Sequence, residues 1–113
     1  MDLKSNCKLL KIYVDEDSRY QGHNLYHALV LKLKEIGLAG VTVTRGLEGY
    51  GKNKAIHTTK ILDLSSSLPI IIEAIDIPER IEKAIPIVKE MVRKGTIIIA
   101  NVDVIKYGDV EID

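Results

Sequence analysis

The sequence predicts an α+β sandwich, one four-stranded antiparallel sheet carrying two helices on a single face. Three observations carry that expectation. Four segments are rich in β-branched residues or alternate apolar and polar side chains, while two repeat apolar residues at helical spacing. These segments fall in the order βαβ, a long excursion, then βαβ. Two such units paired antiparallel make the ferredoxin-like arrangement. At 113 residues, 46% of them hydrophobic, the chain is expected to form one domain over residues 1–113 with one two-layer core.

Residues 8–14 (KLLKIYV) place Leu10, Ile12 and Val14 on one side and Leu9, Lys11 and Tyr13 on the other, the pattern of a strand with one buried face. Asp15, Glu16 and Asp17 then read as a solvated turn. A helix is expected over residues 25–36, because Leu25, Leu29, Leu33 and Ile36 share one stripe; Asn24 caps its start and Gly37 ends it. His23 and His27 are four apart, but His23 precedes the cap, so they make a poor metal pair. Residues 39–45 (AGVTVTR) read as the second strand. Residues 70–75 form the third, apolar on both sides, with Pro69 at its first position. Pro78 opens a second helix that Ile81, Ile85, Val88 and Val92 carry to residue 93; Pro86 should kink it and Gly95 stop it. Residues 96–105 supply the fourth strand, and the tail KYGDVEID either adds a short edge or stays loose. Apolar residues on the second sheet face predict association between subunits.

Composition removes several functions. Sixteen basic and sixteen acidic side chains cancel, so no global field recruits nucleic acid or an anionic membrane. Cys7 is the single cysteine, which excludes an intrachain disulfide and fits a reducing cytoplasm. The N-terminal residues show no leader pattern, and no segment approaches the roughly 20 apolar residues of a membrane span.

The excursion, about residues 46–68, is expected to be a long mobile loop, and its first part, RGLEGYGKNKAIHTTK from Arg45 to Lys60, is where function is sought. Gly46, Gly49 and Gly51 surround Tyr50 with residues able to take unusual backbone angles, leaving amides free to converge on an anion, and Lys52 and Lys54 follow. The spacing matches neither a Walker A loop nor the dinucleotide fingerprint. A solvated surface connection is the plainer alternative. His57 is either solvated or a donor to a ligand.

Several stretches together give the chain a family resemblance: LLKIYV, LYHALVLKLKEIGLAG, TRGLEGYG, IHTTKILDLSSSLPIIIE and IPIVKEMVRKGTIII. Over residues 9–105 the chain resembles the PII-like superfamily, most nearly the uncharacterised family catalogued as domain of unknown function 190. The resemblance implies a homotrimer with small anionic ligands, often adenine nucleotides, in clefts between subunits. It also implies a loop after strand two that changes shape with the ligand and meets a regulated transporter or enzyme. Carried over, the ligand-binding residues are Arg45, Gly49, Tyr50, Gly51, Lys52 and His57 around the loop base, with Arg93 and Lys94 before the last strand. The segment RKGTIII is shorter than the glycine-rich segment at that place in PII proteins, and no tyrosine aligns with their nucleotidylation site. A sensor of this kind needs no catalytic group, and none converges in the sequence. The alternatives are a CutA-like trimer that binds divalent metal or serves as a scaffold, and an enzyme using His57 as acid or base.

Overall fold

A computed structural model of the chain describes residues 6–51, 56–58 and 67–111. Its main elements are β1 (Asn6–Asp15), α1 (Leu25–Glu35), β2 (Val41–Arg45), β3 (Pro69–Asp76), α2 (Pro78–Met91) and β4 (Thr96–Asp103). The four strands form one sheet in the order β2-β3-β1-β4, with every neighbouring pair antiparallel. Short ribbons pair Arg19–Tyr20 with His23–Asn24, Glu48–Gly49 with His57–Thr58, and Lys106–Tyr107 with Val110–Glu111. Among the described residues no helix is long and apolar enough to cross a membrane.

Alternation on β1 turns Leu10, Ile12 and Val14 inward, and the register sets them beside Ala74, Ile72 and Ile70 of β3. Leu25, Leu29 and Leu33 of α1 and Ile81, Ala84 and Val88 of α2 close over that row. Leu29, Leu33, Ile72 and Ile81 have no solvent exposure, and burying each such side chain is worth about 1.5–3 kcal/mol. The α1 start is as its sequence dictates: Asn24 Oδ1 accepts the His27 N–H at 3.3 Å. After it, Gly37 takes φ 90°, a conformation glycine adopts without a Cβ clash.

Several boundaries depart from the sequence expectation: β1 begins at Asn6, two residues early, and α1 ends at Glu35. The strand expected from residue 39 starts at Val41, because the Ala39 N–H is drawn to the buried Asp76 carboxylate at 2.9 Å instead of a strand partner. Helix α2 ends at Met91, with Val92 in extended backbone and buried against the core. Its buried stripe is Ile81, Ala84, Val88 and Met91, while Ile85 is half-buried. Gly95 therefore does not stop the helix. A Cβ there would lie 2.5 Å from the Tyr13 carbonyl oxygen and 2.9 Å from Val92 Cγ1, so glycine is required where the chain crosses β1 closely. Strand β4 ends at Asp103, and the tail turns at Gly108, φ 61°, into its own ribbon. Pro86 sits on the exposed side of α2, which runs through it without interruption.

The other sheet face mixes apolar and charged residues. Leu9, Tyr13, Ile71, Ile75 and Ile98 share it with Lys11, Glu73, Thr42 and Thr44. Lys11 Nζ lies 3.7 Å from Glu73 Oε1 and 5.5 Å from the Tyr13 ring centroid. Hydrogen bonding and charge from Tyr13, then from Glu73, hold the Lys11 pKa above its usual 10.5.

Candidate functional site: the loop end of the sheet

The antiparallel register brings the end of β1, the end of β2 and the starts of β3 and β4 to one end of the sheet. Arg45 closes β2 there, and its guanidinium forks onto one carboxylate: Nε to Glu16 Oε2 and Nη2 to Glu16 Oε1, both at 2.9 Å. The turn carrying Glu16 is stitched to the strand approach beside it. Glu16 N–H donates to Leu68 O at 2.9 Å, Leu68 N–H reaches Glu16 Oε1 at 3.5 Å, and Asp17 N–H donates to Ser67 Oγ at 3.1 Å. The acidic run is thus more than a solvated turn, since Glu16 ties β2 and β3 to β1. Both partners keep solvent contact, at 60% for Arg45 and 27% for Glu16, so the pair contributes at most about 1 kcal/mol.

The glycines of the loop base serve packing. None of Gly46, Gly49 and Gly51 has a positive φ, contrary to the unusual angles expected of them. Gly46 N–H donates to Pro69 O at 2.7 Å, so that amide is not free for an anion. A Cβ on Gly46 would sit 2.6 Å from Pro69 Cγ, and one on Gly49 3.3 Å away. The missing side chains let the loop base lie directly on Pro69.

Beyond this base, Gly49 pairs across the ribbon with His57, Tyr50 is 64% exposed, and Gly51 is exposed. Lys52 and Lys54 lie outside the described residues.

Arg93 and Lys94 stand in the exposed turn between α2 and β4, beyond the helix rather than in its last turn. Among the described residues neither takes part in an ion pair. They share the sheet end with Arg45 but not its edge. β2 and β4 are the two edge strands, three strand spacings apart, or about 14 Å. One copy of the chain therefore does not close these groups around a small ligand. His23, in its ribbon, and His27, on α1, are not joined by further ligands: among the described residues no three His, Cys, Asp or Glu side chains gather as a metal site.

The sequence reading missed Glu16 as the partner of Arg45 and Asp76 as an internal anchor. Asp76 is fully buried, accepting the N–H groups of Ala39 at 2.9 Å and Ile77 at 2.7 Å, with Arg80 Nη1 3.6 Å away. Asp76, the acid that closes the run IIIEAID on the same side as Ile70, Ile72 and Ala74, was the available signal.

The fold is PII-like, and comparison with known proteins then places the chain within a family. It belongs to the domain of unknown function 190 family, described as an uncharacterised ACR, which it matches over residues 7–104. It is 41% identical over 98 residues to a UPF0166 protein of Aquifex aeolicus, covering 87% of this chain and 92% of that one. A UPF0166 protein of Methanocaldococcus jannaschii is 38% identical over 101 residues, covering 88% and 93%. Among solved structures, a protein described as PII-like signalling from Thermus thermophilus superposes with TM-score 0.64 at 23% identity, covering 92% and 93%. CPII of Thiomonas intermedia, a nitrogen regulatory PII-like protein solved with ADP, AMP and bicarbonate, gives 0.59 at 17% identity, covering 88% of each chain.

Proposed function

We propose that this chain is a non-enzymatic regulator that binds a small anionic ligand, an adenine nucleotide, in clefts between the copies of a homotrimer. The observation that carries this reading is the placement of two polar, cation-bearing elements at one sheet end on opposite edges: the Arg45 loop base and the Arg93–Lys94 turn. A neighbouring copy brings its β4 edge beside the first copy's β2 edge, and the phosphates meet cations from both. Arg93 and Lys94 supply charge that is unpaired among the described residues, Arg45 and Lys52 reinforce it, the Gly49 to Gly51 backbone approaches closely, and Tyr50 or His57 offers a ring to the base. The CPII structure holds ADP and AMP, and the shared fold makes that ligand class the first to try here. Binding at the loop base changes the face presented to a regulated transporter or enzyme in the cytoplasm.

The test is titration calorimetry of the full chain with ADP and ATP. One site per chain is expected, with affinity falling at least tenfold (roughly 1.4 kcal/mol) in an Arg93→Ala, Lys94→Ala double variant. Absence of nucleotide binding, or binding indifferent to both changes, sinks the reading. Stabilisation by divalent cations with nucleotides inert would favour the metal-binding trimer instead.

A further inference from the structure

At the end of the sheet away from the loop, the tail folds back over the strands. After β4 finishes at one edge, the chain returns to the other, where Tyr107 Oη donates to the Ala39 carbonyl at 3.1 Å. Ala39 is itself fixed through its N–H, held by the buried Asp76. Between this anchored tail and the outer face of β2 and β3 lies a cleft of about 360 Å³. That is near the small end of ligand clefts, which begin at about 300 Å³.

The lining is chemically divided. Thr42 and Glu73, directly opposite each other in the sheet, supply a hydroxyl and a carboxylate; Lys106 of the tail supplies an ammonium; Ile75, Val104 and the Tyr107 ring supply apolar wall. Glu73 is held only loosely by Lys11, at 3.7 Å. The Lys106 ammonium and the Thr42 hydroxyl have no partner among the described residues. A simple anion would be repelled by Glu73 and a simple cation by Lys106, and one ammonium is too little for a polyphosphate. A compact molecule with both charges and an apolar side chain satisfies every wall.

We infer that this cleft is a second small-molecule site, separate from the loop end, and that it takes an apolar α-amino acid. The ligand ammonium meets Glu73, its carboxylate meets Lys106 and the Thr42 hydroxyl, and its side chain lies on Ile75 and Val104. Occupancy would link the tail to β2, whose far end carries the loop.

The probes are L-leucine, isocaproate, which lacks the ammonium, and isoamylamine, which lacks the carboxylate, each titrated calorimetrically into the full-length chain. Leucine is expected to bind, with both truncated probes at least tenfold weaker. Glu73→Gln and Lys106→Gln should each weaken leucine at least tenfold, whereas Arg93→Ala with Lys94→Ala should leave it unchanged. Among the described residues Lys106 has no partner to lose, so its variant reports on the cleft even if Glu73→Gln disturbs Lys11. No leucine binding to the wild type, equal binding of a truncated probe, or indifference to Lys106→Gln would overturn the assignment.

Discussion

Single residues carry more of this structure than their types suggest. Gly95 lies at φ 156°, and its Cβ would meet the Tyr13 carbonyl at 2.5 Å, a backbone atom that cannot rotate away. Gly22 also has a positive φ, 80°, but a Cβ there meets nothing within 4 Å. The two alanine substitutions should separate accordingly. Gly22→Ala costs about 1 kcal/mol from backbone strain alone, whereas Gly95→Ala costs about 2–4 kcal/mol because strain and overpacking add. Urea denaturation measures both, and equal losses would show that the β1 contact is unimportant. This contrast was not legible in the sequence. A glycine after a helix reads as a stop, and only the passage of the chain over β1 gives Gly95 its other reason. Arg45 is similar: its strand-end position was legible, but the fork onto Glu16, 29 residues away, depends on sheet pairing that no local pattern encodes.

At the scale of elements, the periodic segments were the most legible part. Leu25, Leu29 and Leu33 of the α1 stripe, its Asn24 cap, the inward row of β1 and the Pro69 start of β3 follow from local spacing and propensity, and the structure has all of these, with Ile36 falling on the C-cap. What local pattern could not fix was where burial overrules it. Val92 leaves the helix to fill the core, so α2 ends earlier than its apolar repeat implies. Within α2, Pro86 removes the amide that would bond the Glu82 carbonyl, and both residues are solvent-exposed. With no core contact to lose, Pro86→Ala should stabilise the fold by about 1–3 kcal/mol, restoring one helical bond and the helix propensity proline lacks. Thermal denaturation at fixed concentration gives the answer. A lowered midpoint would mean that the ring at residue 86 supports a contact outside the single chain.

For the whole molecule, the two sheet edges differ in a way that bears on assembly. The β2 edge exposes Thr42, Thr44 and Arg45, polar residues that keep an edge strand soluble. The β4 edge exposes Ile98 and Ile99, each at 43%, on opposite faces of a strand whose outer side has no strand partner among the described residues. An apolar edge of that kind, left wet, would template pairing with other chains. The homotrimer proposed above covers it by setting each β4 edge against the next copy. Sedimentation equilibrium of the wild type should then give three times the 12.6 kDa chain mass. Ile98→Lys places an ammonium in that contact without touching the core cluster, so it should shift the equilibrium towards monomer by at least tenfold in concentration while leaving the far-ultraviolet circular dichroism unchanged. Nucleotide binding should fall with it, since each cleft draws cations from two copies. A trimer that survives Ile98→Lys would move the interface away from this edge, and a monomer that still bound ADP as tightly would overturn the shared cleft itself.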